Sequence, residues 1–481
     1  MIWVALSALT YIVGFALIIL IVMQRKSPSS SIAWILAIVF LPIVGSIIYL
    51  WFGFGRIAYR VKRRRKSDQK IADDMQKIDQ ALTAFHIIDD DGANVPVQQE
   101  LIAVTTASNG FAVTHGNAIT LHADSGIAFQ HLLSAIAHAE ESVNLQYYIF
   151  RNDEAGRTLR DALIAAAKRG ATVRILVDGV GSWSLPWSFF RLLKKEKGRA
   201  ARYLPVTPLG RPWHWNLRNH RKATIIDGRI GFIGSANIGN EYCTHTGKIS
   251  DFDDVLLKCK GPVVQQLQEV FASDWFFATN ENLFNTNAYF PLPERSGNVL
   301  AQVVESGPTG PSYTLHDMLC SAVHAATKSV HILTPFFIPD QALIVSLRTA
   351  ALRGIDVKII TARQVPSWEK IIYIAGRSFY EDLLSVNVKI YEYLPAFLHI
   401  KGIVVDGYFV SIGTANMDMR SFFLNFEVNM NLYSREIAVH LEQIFESRRQ
   451  QSEEIILTDF AKRSSLVRLL ENSSRVFSPI L

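Results

Sequence analysis

"HRKATIIDG" fills His220–Gly228, and a close echo, "HIKGIVVDG", fills His399–Gly407, 179 residues further on. Both read His-x-Lys, then four residues, then Asp-Gly. The surrounding stretches, "KATIIDGRIGFIGSAN" and "KGIVVDGYFVSIGTAN", are rich in β-branched and alternating residues. They predict a hairpin at each Asp-Gly, since that pair supplies the positive φ angles of a two-residue turn. His and Lys two apart on a strand share a face, so His220 projects with Lys222 and His399 with Lys401. Folding each hairpin about 227/228 or 406/407 sets Ser235 opposite His220 and Thr414 opposite His399. The returning "GSAN" (Gly234–Asn237) and "GTAN" (Gly413–Asn416) then come level with the His-Lys pairs. Asp227 and Asp406 lie seven residues from their histidines, about 23 Å along an extended strand, and read as turn residues with a supporting salt bridge.

Working outward, each motif is preceded by the same pattern. The first copy runs "FQHLLSAIAHAEESVNLQYYIF" and "TLRDALIAAAKRGATVRILVDG"; the second runs "LHDMLCSAVHAATKSVHILTPFF" and "ALIVSLRTAALRGIDVKIITA". Each reads helix, strand, helix, glycine, strand, with Gly170 and Gly354 where a helix hands over to a buried strand. A unit of about 180 residues is too long for a solenoid repeat and suits a duplicated domain. The expected organisation is an α/β protein with two repeats at 111–300 and 301–481, related by a pseudo-dyad, behind a linker at 67–110.

The N-terminus is different in kind. Ile2 to Met23 and Ile32 to Phe54 carry no charged residue. Each approaches the ~20 residues that cross a bilayer core, so residues 1–66 are expected to form a transmembrane helical hairpin with a basic juxtamembrane segment. The first segment lacks a basic start and is followed at once by a second, which argues for an uncleaved anchor. Seven Lys/Arg lie between Arg56 and Lys66, against two in the loop between the segments. The positive-inside rule then puts the long C-terminal part in the cytoplasm. The first 67 residues hold nine Lys/Arg and no acid, whereas the remainder has 40 basic against 43 acidic residues. The basic balance is therefore a juxtamembrane cluster suited to anionic lipid headgroups, and a net-negative body argues against nucleic acid as the partner. Cys243, Cys259 and Cys320 are scattered, without metal spacing, and no His/Cys cluster is present; no metal or cofactor is expected.

If the two repeats face each other, the composite site holds two histidines, two lysines and two asparagines, joined by Ser235 and Thr414. That set suits a phosphodiester: lysines and amides neutralise its non-bridging oxygens, one imidazole attacks phosphorus, and the other handles the proton of the departing and incoming oxygens. Each imidazole needs an acceptor on its second nitrogen. Candidates are Asp251, Asp253 and Asp254 in "SDFDDVLL" and Glu427 in "NFEVN".

These residues resemble the phospholipase D superfamily, and more closely the bacterial cardiolipin synthases. The supporting stretches include "LQYYIF", "RNHRKATIIDG", "NIGNEY", "FASDW", "TPFFIPD" and "NMDMRSFFLNFEVN", and the likeness covers essentially the whole chain. The first repeat departs from it at Ser235 and Asn240, where relatives commonly show Gly and Asp. The resemblance implies two phospholipase D-like α/β/α sandwich domains at the bacterial cell membrane. It implies a phosphatidyltransferase that joins two phosphatidylglycerols, releasing glycerol through a phosphatidyl-histidine. The catalytic set it implies is His220, Lys222, Asp227, His399, Lys401 and Asp406, with His220 as nucleophile and His399 as general acid/base. Asn237, Asn416, Ser235 and Thr414 would bind substrate, and Asp254 and Glu427 would orient the histidines. A hydrolase on the same scaffold differs only in the acceptor, and a catalytically dead scaffold is disfavoured because both motifs are intact. Trp213 and Trp215 in "RPWHWNLRNH", with Trp183 and Trp187 in "GSWSLPWSFF", are expected either to line a lipid entrance or to pack between the repeats.

Overall fold

Both His-x-Lys hairpins sit mid-way along the two halves of one sheet. The structure, a computed structural model, describes residues 2–24, 28–50, 56–86, 96–205, 216–243, 251–310 and 313–479. The first half contributes β1 (Thr114–His122), β2 (Ser142–Tyr147), β3 (Thr172–Asp178), β4 (Arg199–Tyr203), β5 (Ala223–Ile226), β6 (Ile230–Gly234) and β7 (Leu256–Lys260). The second contributes β8 (Val299–Ser306), β9 (Ser329–Thr334), β10 (Asp356–Ala362), β11 (Lys389–Tyr393), β12 (Gly402–Val405), β13 (Phe409–Gly413), β14 (Glu427–Tyr433) and the edge strand β15 (Ser452–Glu454). The order is β15-β11-β10-β9-β12-β13-β14-β8-β1-β7-β6-β5-β2-β3-β4, a 15-stranded sheet. Read outward from the β8–β1 seam, the two sides repeat one another, which is the pseudo-dyad expected from the duplicated motif.

The local causes are those of the sequence pattern. Every residue of "SVNLQY" in β2 is buried, as befits a strand covered on both faces. The helix Glu154–Arg169 starts at Asp153, whose carboxylate accepts from Gly156 N at 3.0 Å. It ends at Gly170 with φ 111°, and Gly354 repeats the device with φ 85°. β2, β3 and β4 run parallel, as do β9, β10 and β11, while the motif hairpins run antiparallel.

The two expected sandwiches are fused more deeply than two separate domains would be. One apolar core takes in Ile233 and Leu257 of the first half with Val303, Ile412 and Met430 of the second. The helix Val263–Thr279 is buried along residues 263–277. Gln266 is satisfied there: it donates to Ala112 O at 2.7 Å and accepts from Val303 N at 2.9 Å. The expected linker enters both this core, through Ile71, and a second one. In the latter its helix Pro96–Asn109 buries Leu101 with Leu315 and Met318, and Thr105 donates to Gln302 at 2.9 Å.

Residues Ser67–Val206 and Leu217–Leu481 form one compact unit, and Met1–Lys66 belong to another. In the latter, Ile2–Met23 is one helix, but the second apolar segment is two, Pro28–Phe40 and Pro42–Ile48. Pro42 has no N–H to continue the first ladder, so the helix stops at Leu41 and restarts. Leu17, Ile21, Ile38 and Tyr49 form its small core. Side chains in the first helix are described from Thr10 onward, and among the described residues no helix is long and apolar enough to cross a membrane.

Candidate active site

The site is built by an exchange between the repeats. Just before His220 the chain pairs with the segment before Glu427: Phe426 N donates to Arg218 O at 2.8 Å and His220 N to Phe426 O at 2.9 Å. The same happens on the other side of the pseudo-dyad, where Phe397 and Leu398 pair with Phe252 and Asp253, and His399 N donates to Asp253 O at 2.8 Å. Each histidine is thereby delivered to the carboxylate of the opposite repeat. His220 Nδ1 lies 2.9 and 3.0 Å from the Glu427 oxygens, and His399 Nδ1 lies 2.8 Å from Asp254 Oδ2. With Nδ1–H donating to a carboxylate, each Nε2 is left with its lone pair toward the site.

The hydroxyls predicted to return to the site support these carboxylates. Thr414 donates to Glu427 at 2.6 Å, and Ser235 Oγ is hydrogen-bonded to Asp254. Lys222 and Lys401 each donate to the backbone carbonyl of their own histidine, at 2.6 and 2.9 Å. Burial pushes His220 down to about 4, against the raising pull of Glu427 and with a further push from Lys222. It pushes His399 to about 4 in the same way, against Asp254. Burial lowers Lys401 to about 8 and carries Lys222 well below its ordinary value. Burial alone would raise Glu427, but His220, Lys222 and Thr414 hold it below the usual carboxylate range. The site thus concentrates two neutral imidazoles and two desolvated lysines, a combination that an anion relieves.

A scan of protein families matches this chain to the cardiolipin synthase, PLD-like domain, over residues 132–275 and 319–449. The chain belongs to the cardiolipin synthase family. A second family model, Phospholipase_D-nuclease N-terminal, matches residues 2–53. The cardiolipin synthase of Alkalihalophilus pseudofirmus is 35% identical over 469 residues, 96% of this chain and 91% of the relative. The major cardiolipin synthase ClsA of Bacillus subtilis is 34% identical over 99% of each chain. Among solved structures, phosphatidylserine synthase of Haemophilus influenzae shares the fold, with TM-score 0.61 and 14% identity over 80% of this chain and all of that one.

Within this family fold, Asp227 and Asp406 do not join the histidines. Each sits in the turn with φ 54° or 55°. Asp227 accepts from the backbone N–H groups of Glu140, Glu141 and Ser142 at 2.7–3.1 Å. Asp406 accepts from Thr327, Lys328 and Ser329, so both pin the hairpin to the start of the neighbouring strand, and among the described residues neither forms a salt bridge. The turns also hold three residues, not two. Ile226 pairs with Ile230 and Val405 with Phe409, which places Ala236 and not Ser235 across from His220. Ser235 and Thr414 consequently meet the carboxylates, not the imidazoles.

Asn237 accepts from Ile149 N at 3.0 Å, whereas Asn416 Oδ1 is buried with no hydrogen-bond partner. A buried orphan acceptor is open to a ligand hydroxyl. Of the three candidate acids, Asp254 takes the histidine and Asp253 forms a bidentate pair with Arg448 at 2.7 and 2.8 Å. Asn240, one of the departures, accepts from Ala155 N at 2.9 Å and serves the chain fold. Trp183 and Trp187 are 78% and 44% exposed and do not pack between the repeats; Trp213 and Trp215 lie outside the described residues.

Several site neighbours carried no spacing signal. Arg218 and Arg221, flanking His220, are buried on Asp178 at 3.1 Å and Asp274 at 3.0 Å. Tyr148 stands edge-on to His220 at 5.0 Å and Tyr242 to His399 at 5.4 Å. Arginine–carboxylate pairs flank the first histidine, whereas Phe252 and Phe397 stand beside the second. The available signal was chemical: two arginines around a histidine at the entry to a buried strand require buried acids.

Proposed function

We infer that this protein joins two phosphatidylglycerols into cardiolipin and glycerol. The observation that carries the reading is the crossed pair of imidazole–carboxylate contacts above two buried lysines. In the first step Nε2 of His220 attacks phosphorus, the bond from phosphorus to the headgroup glycerol oxygen breaks, and His399 gives that oxygen its proton. In the second, a headgroup hydroxyl of another phosphatidylglycerol gives its proton to His399. Its oxygen attacks the same phosphorus, and the P–N bond to His220 breaks. Lys222 and Lys401, with Asn237 and Asn416, would neutralise and bind the phosphate oxygens. Bound phosphodiester raises the histidine that must be protonated, since its negative charge favours imidazolium.

We place the catalytic body on the cytoplasmic side of a bacterial membrane, held by the uncharged N-terminal segments as two passes, with the Arg56–Lys66 cluster at anionic headgroups. Exposed Trp183 and Trp187 favour the lipid-entrance reading of that loop, because indole rings prefer the headgroup level.

The direct test incubates the purified full chain with phosphatidylglycerol in EDTA and resolves the products. Cardiolipin and glycerol in equal amounts are expected, undiminished by the chelator, because lysines already supply the positive field. Phosphatidic acid as the main product would identify a hydrolase, and no product on any phosphodiester would identify a scaffold. A second expectation concerns pH. Lys401 must be charged to hold phosphate, and burial lowers its ammonium to about 8. Raising pH through that value removes the charge, so kcat/KM falls on a basic limb near 8. Lys401→Arg, which stays charged, abolishes that limb even if it slows turnover. A wild-type profile flat to pH 10 would refute the assignment.

A further inference from the structure

The C-terminal helix Ser465–Arg475 is inside out. Its sequence, "SLVRLLENSSR", has a polar stripe at Glu471, Ser474 and Arg475 and an apolar one at Leu466, Leu469 and Leu470, continued by Val476 and Phe477. A helix on a soluble body turns the apolar stripe inward. Here Glu471 is 3% exposed, while Leu466, Leu469 and Leu470 are 66%, 61% and 54% exposed. The inward stripe is fixed by charge: Glu471 accepts from Arg377 at 3.1 Å and pairs with Arg463 at 3.0 Å. Arg377 in turn reaches the buried Glu392 at 2.6 Å. Those ion pairs hold the leucines outward as a built feature of the fold.

The place of this helix says what covers it. Arg377 closes the short helix Lys370–Arg377, which presents Ile371 at 43% exposure. That helix begins immediately after Glu369, whose carboxylate acts on Lys401 in the site. Glu369 follows the C-terminal end of β10, on the side of the sheet where the histidines lie. On the first repeat, the loop after the equivalent strand β3 carries exposed Trp183 next to Ser182, and Ser182 donates to Tyr148 O at 2.9 Å beside His220. Exposed apolar side chains thus flank the site on both repeats, and the leucine helix is ion-paired to the helix that carries Ile371.

We propose that the helix Ser465–Arg475 is an interfacial membrane helix, its leucine face in the acyl boundary and its polar face on the body, seating the active-site mouth on the lipid surface. This rests on the reading of the site as one that takes phospholipids. It is a second attachment, made by the catalytic body itself and separate from the N-terminal segments.

The test uses the full chain, with Cys320→Ser to remove the partly exposed thiol, in vesicles of phosphatidylglycerol and phosphatidylcholine. A polarity-sensitive dye is placed at Leu466→Cys, Leu470→Cys or, as control, Leu352→Cys. Leu352 is 70% exposed but precedes Gly354 at the opposite end of β10 from the site. Dyes at 466 and 470 should shift to the blue and be quenched by lipids brominated near the headgroup, while the dye at 352 stays in water. The triple variant L466S/L469S/L470S should lose on the order of tenfold in turnover on vesicles, with little change on a short-chain soluble phosphatidylglycerol and no fall in melting temperature. A blue shift without bromine quenching would mean a protein partner, and a dye in water at 470 would mean no contact; either overturns the proposal. Quenching in a chain that forms no cardiolipin would leave the docking intact and sink the functional reading instead.

Discussion

His220→Ala and His399→Ala are each expected to lower turnover by about 10⁴-fold or more, and the double variant is expected to be hardly worse than either. Additivity fails because the two rings serve one event. Without a nucleophile there is nothing for the acid to assist, and without the acid a glycerol alkoxide must leave unprotonated. The singles differ in what they trap. His399→Ala retains Nε2 of His220 above phosphorus, still held by Glu427 at 2.9 Å. It should build up phosphohistidine slowly, and detectably on long incubation, since the acceptor also lacks its base. His220→Ala should accumulate none. The reverse pattern would exchange the two roles, and near-normal turnover in either variant would refute a composite site. Melting temperatures serve as the control, because His399 is buried and His220 mostly so, and their loss leaves Asp254 or Glu427 short of a partner.

Much of this frame was legible because it depends on local rules. Asp-Gly between β-branched runs made two hairpins, and Gly170 and Gly354 marked two helix ends. The duplicated phrase gave the pseudo-dyad and hence the pairing of two half-sites. What spacing could not give was partner choice across the dyad. Glu427 lies 13 residues after Thr414, downstream of the second hairpin, yet it serves His220, 207 residues upstream. That exchange is decided by parallel pairing of two short segments, 217–220 and 424–427, which carry no periodic signal. The turn was misjudged by one residue because a two-residue and a three-residue loop can share the same Asp-Gly, both with positive φ at the first two positions. The break at Leu41 was, by contrast, written in the sequence as Pro42, and a count of apolar residues passed over it. Buried acids such as Asp178 and Asp274 read as ordinary strand-end and helix residues until the arginines beside His220 gave them a reason.

The crossed carboxylates lead to the second large effect. Glu427→Gln and Asp254→Asn are each expected to cost about 10²–10⁴-fold in turnover. Glu427 does two things for His220. It fixes the tautomer with Nδ1–H toward itself, and it stabilises positive charge on the ring as the P–N bond forms. An amide at the same place can offer its NH₂ to Nδ1 instead, which moves the ring proton to Nε2 and blocks the lone pair that attacks. Asp254 stabilises the imidazolium of His399, so its amide leaves that ring neutral, with an Nε2–H too weakly acidic to protonate the leaving oxygen. The two losses separate with the leaving group. On a phosphodiester with a p-nitrophenyl leaving group, departure needs no proton, so Asp254→Asn should regain a near-normal initial burst of phosphohistidine. Glu427→Gln should not, because the nucleophile itself is disabled. If Glu427→Gln were the one rescued, the exchange between repeats would stand with the roles of the histidines reversed. If the leaving group rescued both equally, neither carboxylate would be positioning a particular histidine, and the geometry of 2.8–2.9 Å contacts across the dyad would have no bearing on the chemistry.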